Sequence, residues 1–386
     1  MRKAIILFAA FALTACSARA LLSEDVVRSE MVRHPEASYI DGLQGKLKWN
    51  YTTGLELKAM LDASQGLEYV DAWYDAIIDS TGRIGANYKK SNWSLDHICP
   101  GRTLFSLYDL TGREKYRAAM DSLYAQLLQQ PRTPEGGFWH KRIYPDQMWL
   151  DGLYMAQPFY AEYTARYAPD SVRTKNYEDI ARQFDLIWTK CYDPSTGLLR
   201  HAWDSSRSMF WCDKQTGQSA HAWGRALGWY AMALAEVIPF MPDGALSMDL
   251  QGKLDKLCHN IMPYADRQTG MWYQVLDRPG EEGNYVESTA SAMFTYALLK
   301  GIRNGWVKGI PMETAREKYR SLLRTFVSYD PSTGLVNLDR CCEVAGLGGK
   351  ENRSGTYEYY INEKICSNDP KGIGPLVWAA LEYEKL

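Results

Sequence analysis

Two aspartates stand where acid–base chemistry is easiest to build. Asp151 lies in FWHKRIYPDQMWLDGLYMAQPFYAEYTARY, residues 138–167, among Met148, Trp149, Leu150, Leu153, Tyr154 and Met155. No basic residue falls within four places of it on its helix. A carboxylate ringed by apolar and aromatic side chains tends to keep its proton, because desolvation disfavours the charged form. That is the state a general acid needs near neutral pH. The same residue would also stabilise the N-terminus of its own helix through the dipole, so position alone leaves both readings open. Asp96, in Leu95-Asp96-His97, opens another apolar segment and is the second candidate. A carboxylate pair across a cleft is the usual apparatus for glycosidic bonds, and mutual repulsion drives the two pKa values apart.

Other polar and aromatic groups lie in the loops beside them. His140 and Lys141 precede the Asp151 helix, His201 sits in the next loop, and Arg225 and Trp229 share HAWGRALGW. An acidic ligand would have to be held by local cations and donors such as Lys141, Arg225 and the histidines. A sugar face wants an aromatic ring, met by Trp229 or by Tyr51 of Trp49-Asn50-Tyr51. Each has a structural alternative: a satisfied loop histidine, an ion-paired arginine, a core tryptophan. Glu287 reads as a first-turn helix carboxylate more readily than as a catalyst. There is no HExxH, no GxSxG and no nucleophilic-cysteine context, and the glycine-rich tracts 344–349 and 371–374 do not have the spacing of a phosphate loop. Seven cysteines follow Cys16 without CxxC or Cys/His spacing, which speaks against zinc and assigns no disulfide. The expectation is a site with no metal and no cofactor.

The elements that must position these residues repeat. A turn of the form Asp-x-x-Thr-Gly recurs from Asp193, Asp266 and Asp330, a shorter DSTG copy starts at Asp79, and a degenerate copy lies at Glu135-Gly-Gly-Phe-Trp139. The spacing is enough for one helix hairpin each, and such a period is read before any single motif. Segments 51–63, 94–110, 147–165, 222–237, 287–301 and 373–383 are small and apolar nearly all round. Between them lie amphipathic segments such as 113–129, 171–190, 246–262 and 312–327, with a first helix at 24–34 capped by Ser23. A helix apolar all round is buried and an amphipathic one lies outside it. Six inner helices alternating with outer ones make an all-α (α/α)6 barrel, with an open α-solenoid as the alternative. No linker interrupts residues 21–386, so they form one domain. Loops entering the inner helices open at one end of such a barrel, which brings the candidate residues to one cleft.

Composition sets limits. A net charge of −2 provides no field to draw nucleic acid to the surface. Thirteen Trp and 26 Tyr give a mild hint of a carbohydrate ligand over an aromatic core. Residues 1–20 have the form of a targeting segment: Arg2 and Lys3, the apolar run Ala4 to Leu13, then a lipobox-like LTAC ending at Cys16. The run is too short to span a membrane. Lipidation of Cys16 would anchor an extracytoplasmic protein, periplasmic or at the cell surface; an ordinary secretory signal cleaved after Ala20 would reach the same side.

DQMWLDGLYMAQPFYAEY, SLDHICPGRTLFSLYDLTG, HAWGRALGWYAMAL, ESTASAMFTYALLKGI and the tail VAGLGG…GTYEYYINEKICSNDPKGIGPLVWAALE resemble, in order, the unsaturated rhamnogalacturonyl hydrolases of glycoside hydrolase family 105. These are related to the unsaturated glucuronyl hydrolases. The resemblance implies an (α/α)6 barrel and a hydrolase acting on oligosaccharides left by polysaccharide lyases. Such products carry a Δ4,5-unsaturated uronic acid at the non-reducing end, which is removed by hydrating the C4=C5 bond. It further implies that Asp151 is the general acid/base and that Asp96 places water and substrate. His140, Lys141, His201, Arg225, Trp229 and Tyr51 then surround the uronate. Unsaturated galacturonyl-rhamnose is the default substrate, with unsaturated glucuronyl-rhamnose of ulvan type as an alternative. Enzymes of saturated oligosaccharides and a non-catalytic glycan-binding lipoprotein are rivals on the same fold. The loops at 204–219 and 339–356, with Arg207, Lys214, Arg340, Lys350 and Arg353, are expected to set the next subsite.

Overall fold

A computed structural model describes residues 21–386, all outside the targeting segment and its Cys16. Thirteen helices follow one another. They are α1 (Leu22–Arg33), α2 (Tyr51–Asp62), α3 (Leu67–Ile77), α4 (Gly101–Thr111), α5 (Glu114–Leu127), α6 (Leu150–Tyr167), α7 (Asp170–Cys191), α8 (Gly224–Val237), α9 (Ala245–Ile261), α10 (Ser288–Arg303), α11 (Met312–Phe326), α12 (Tyr357–Ile361) and α13 (Pro370–Glu384). Helices α2, α4, α6, α8, α10 and α13 each pack on the next, and α13 returns to α2, closing an inner ring. Helices α1, α3, α5, α7, α9 and α11 lie outside it. This is the (α/α)6 barrel. The inner helices α8 and α10 bury almost every side chain, whereas α11 alternates Leu322 and Phe326 inward with Arg320 and Arg324 outward, as the two positions demand.

Helix α3 completes the outer ring and was not among the segments singled out in the sequence. The first helix also differs from expectation. Leu21 occupies the cap position, and Ser23 instead donates its hydroxyl to Glu384 Oε2 at 2.6 Å, tying α1 to α13. Arg33 reaches Asn337 Oδ1 at 2.7 Å, and Val336 N donates to Ser29 Oγ at 2.9 Å, so α1 also holds the hairpin after α11.

The recurring turns close short antiparallel hairpins at the ends of outer helices. Asp193 Oδ1 accepts from Ser195 N at 2.9 Å, and Gly197 adopts φ +73° to let the chain return as Leu198–Leu199 beside Tyr192–Asp193. Asp330 and Gly334 do the same between Val327–Tyr329 and Val336–Leu338. A further copy, Asp213-Lys-Gln-Thr-Gly217, stands outside the period, in the loop before α8. Among the described residues no helix is long and apolar enough to cross a membrane.

Candidate active site

The polar loops entering the inner helices carry the candidate residues. Segment 94–110 is not one helix. Leu95–His97 form a single 3-10 turn, and Pro100, which has no N–H to donate, precedes the start of α4. Asp96 therefore stands on the turn ahead of α4. Asp151 is in the first turn of α6, directly after the strand Gln147–Trp149. That strand pairs with Ala202–Asp204, Trp149 opposite Ala202. The pairing carries His201 to the start of α6, where Leu150 N donates to His201 O at 3.1 Å.

The two carboxylates have different neighbours. Asp96 is ion-paired with Lys141 through Oδ2 and has His140 Nε2 3.4 Å from Oδ1. Burial acts to raise its pKa, but Lys141 and His140 outweigh that and hold it below the usual range, so it is ionised. Lys141, although desolvated, is held above its ordinary value by the same carboxylate. Asp151 meets no Lys or Arg among the described residues. Its Oδ2 lies 3.2 Å from His201 Nε2, out of line for a hydrogen bond, and its side chain is 15 % exposed. The apolar shell read around it in the sequence is thus interrupted by one imidazole.

His140 is buried, and burial depresses its pKa to about 4 against the pull of Asp96 and, more weakly, Asp151. It is neutral at physiological pH and stands between the two acids. Its ring stacks on Trp149 at 4.7 Å, and Trp149 stacks in turn on Tyr144 at 4.8 Å. Trp149 also meets His201 edge-on at 5.5 Å. His201 Nδ1 is 2.7 Å from the Tyr360 hydroxyl, whose pKa burial drives far above the tyrosine range. Tyr144, Trp149 and Tyr360 are supports that the sequence reading did not single out, although all three lie in or beside its motifs. Gly152 makes the arrangement possible: a Cβ there would meet His140 Nδ1 and Leu95 Cδ1 at 3.0 Å each.

Arg225 and Trp229 lie deeper. Arg225 is 1 % exposed, binds the Cys342 carbonyl, and approaches Glu287 Oε1 at 3.5 Å. Glu287 is fully buried and caps α10, accepting from Ala290 N at 2.6 Å and from Cys342 N at 2.9 Å. Trp229 is also 1 % exposed, packed between Tyr51 at 6.3 Å and Tyr154 at 4.8 Å, so it backs Tyr51 from within the barrel. The seven cysteines from Cys99 onward are unpaired, and all but Cys366 are buried.

A cleft of about 580 Å³ opens over these loops, lined by Tyr51, Asp96 and Lys141 and also by Lys48, Arg142 and Val344. Asp151 is not on its wall. The loop at 204–219 does not reach the cleft, and 339–356 contributes only Glu343 and Val344. This corrects the expected subsite. Lys214 is spent on the carbonyls of Arg207 and Ser208, and Arg353 donates to the Tyr144 hydroxyl at 3.0 Å. Those loops brace the aromatic stack instead. Among the described residues no group of His, Cys, Asp and Glu has metal-binding geometry.

Comparison with known proteins agrees with this architecture. Residues 22–386 match the model of Glycosyl Hydrolase Family 88. A solved glycoside hydrolase of family 105 from C. acetobutylicum superposes with a TM-score of 0.88 at 39 % identity, over 95 % of this chain and 100 % of that one. The unsaturated rhamnogalacturonyl hydrolase YesR of Bacillus subtilis is 30 % identical over 213 residues, 53 % of this chain and 58 % of that protein. The unsaturated glucuronyl hydrolase of Bacillus sp. GL1, at 12 % identity and a TM-score of 0.66 over 94 % of this chain and 95 % of that one, shares the fold.

Proposed function

The chain belongs to glycosyl hydrolase family 88, and from that premise we propose that it removes a Δ4,5-unsaturated uronic acid from the non-reducing end of oligosaccharides released by polysaccharide lyases. Unsaturated galacturonyl-rhamnose is the substrate put forward, by likeness to YesR. The observation that carries the reading is the division of labour between two acids. Asp96 is pinned as a carboxylate by Lys141, while Asp151 has only a histidine beside it and is left to move a proton.

The reaction follows from that division. The Asp151 carboxyl gives its proton to C4, and the ring oxygen stabilises the cation left at C5. Water bonds to C5 and returns a proton to the Asp151 carboxylate. The resulting hemiketal opens: the bond from C5 to the ring oxygen breaks, C5 becomes a ketone, and the ring oxygen takes a proton. C1, now a hemiacetal, releases the neighbouring sugar. Tyr360, donating to His201 Nδ1, fixes the imidazole hydrogen on Nε2, where it faces Asp151 Oδ2 and steadies the carboxylate between the two proton transfers. Neutral His140, held flat against Trp149, keeps Asp96 in place without adding a second positive charge.

Attachment through Cys16 to a bacterial membrane, facing the periplasm or the cell surface, belongs to the same proposal: an extracytoplasmic enzyme would meet lyase products as they form. The test is the ultraviolet absorbance of the conjugated uronate, followed with purified protein and lyase-generated disaccharides. Loss of the chromophore with rhamnogalacturonan products supports both reaction and substrate. Loss only with another lyase product keeps the reaction and moves the substrate. No loss with any unsaturated sugar, given folded protein, overturns it.

A further inference from the structure

One pair of thiols stands in direct register. Cys341–Cys342 and Ile365–Cys366 form a two-stranded antiparallel ladder, with Cys341 opposite Cys366 and Cys342 opposite Ile365. Glu343 N donates to Lys364 O at 2.7 Å and their side chains pair at 2.9 Å, so the register continues beyond the two cysteines. Directly opposed residues in such a ladder have Cα atoms about 4.5–5.5 Å apart and side chains on one face. A disulfide spans about 4.4–6.8 Å between Cα atoms. Both sulfurs border the turn that enters α13. The Asp369 N–H lies against Cys341, a Cβ on Gly372 would meet Cys341 Sγ at 3.1 Å, and Cys366 Sγ is 3.9 Å from Asp369 Oδ2. Cys342 points to the opposite face, where its sulfur accepts from Gln274 Nε2 at 3.1 Å. Cys341 is fully buried, whereas Cys366 alone among the seven described cysteines is partly exposed.

We infer that Cys341 and Cys366 are an oxidisable pair that closes to a disulfide across the base of segment 341–366. The oxidant is another disulfide, of low molecular weight or borne by a protein, of the kind found in extracytoplasmic compartments. The Cys366 thiolate attacks one of its sulfurs, forming a mixed disulfide, and the sulfur released takes a proton as a thiol. The Cys341 thiolate then attacks Cys366 Sγ and releases the second thiol. The pair thus loses two protons and two electrons, and one disulfide is reduced to two thiols. Burial pushes both cysteines up to about 12, so thiolate is scarce in the finished fold and closure there is slow. The segment between them carries Val344 on the cleft and Tyr360 against His201. A covalent bond at its base restricts that segment in the unfolded chain and braces it in the folded one.

The test incubates the purified full chain with excess oxidised glutathione at mildly alkaline pH. The reaction is quenched in acid, free thiols are alkylated in denaturant, and tryptic peptides are read by mass spectrometry. The expected product is peptide 341–350 joined to peptide 365–371, with the remaining cysteines alkylated. Cys342 shares the first peptide, so variants assign the bond. It should persist in Cys342→Ser and vanish in Cys341→Ser and Cys366→Ala. The last replaces a partly exposed side chain and keeps the assignment open if Cys341→Ser does not fold. Oxidised wild type should melt about 3–6 °C above the same protein reduced with a phosphine, a difference absent from Cys366→Ala. Glutathione retained on Cys366 without closure, a bond through Cys342, or alkylation of all seven cysteines overturns the inference. A linked form that melts with its reduced form refutes the bracing. None of these readouts depends on turnover of an unsaturated sugar.

Discussion

His201 Nε2 stands 3.2 Å from Asp151 Oδ2 and is not aligned to hydrogen-bond it. The imidazole is held from its other side by Tyr360, while Asp151 Oδ2 has no hydrogen-bond partner among the described residues. A carboxyl that must swing to a carbon atom and back benefits from a neighbour that attracts it without locking it.

Asp151→Asn should lose at least ~10² in kcat on any unsaturated substrate, the usual scale of general acid catalysis, with the circular dichroism spectrum unchanged. Activity within a fewfold of wild type would remove Asp151 from the role.

Lys141→Met should move the acid limb of the kcat/KM profile upward. Lys141 is a principal force holding the pKa of Asp96 below its ordinary value while burial pushes the other way. Without the ammonium, burial weighs more, Asp96 protonates at a higher pH, and the limb shifts up. An unmoved limb with reduced kcat would mean that Lys141 acts on substrate alone.

His140 should make the fold pH-sensitive on the acid side. Burial depresses its folded pKa to about 4, below the unfolded value near 6.5. Between those values the unfolded chain takes up a proton that the folded chain refuses, so stability falls as pH drops from 6.5 toward 4. His140→Gln should flatten that decline, by up to a few kcal/mol, in urea melts recorded at pH 7, 6, 5 and 4. Parallel curves for the two proteins would contradict it.

Arg225→Met should destabilise the protein by about 3–5 kcal/mol, the cost of breaking a buried pair from one side. Glu287 keeps its two backbone donors but loses its cation in a fully buried place, and the Cys342 carbonyl loses its partner. Were Arg225 only a substrate ligand, KM would rise and the urea midpoint would stay put.

The alternation of inner and outer helices was legible because burial on one face or on all faces leaves different patterns. Helix α3 escaped because it is short, is preceded by Gly66 in place of a capping side chain, and interposes Glu68, Asp71 and Asp75 among its apolar residues. Asp96 and Asp151 were visible as acids in apolar company, and the family resemblance supplied their expected roles. Their partners were a different matter. That Lys141 neutralises Asp96 while His201 faces Asp151 depends on a three-residue strand pairing and a single 3-10 turn, neither with a local signature. The outer subsite was misplaced for a related reason. Lys214 and Arg353 looked available as cations, but which carbonyls a surface cation will cap cannot be read from its spacing.

The bond between Ser23 and Glu384 joins residues 361 positions apart. A chain emerging N-terminus first, from a ribosome or through a secretion channel, exposes α1 long before α13 exists. Every inner helix can be made and the ring still stand open, with the flanks of α2 and α10 bare where α13 will sit. Closure over so long a span is the kind of contact that slows folding and leaves apolar surface exposed meanwhile. Chains cut short of Pro370 should therefore collect as aggregates or be degraded, never as a smaller working barrel.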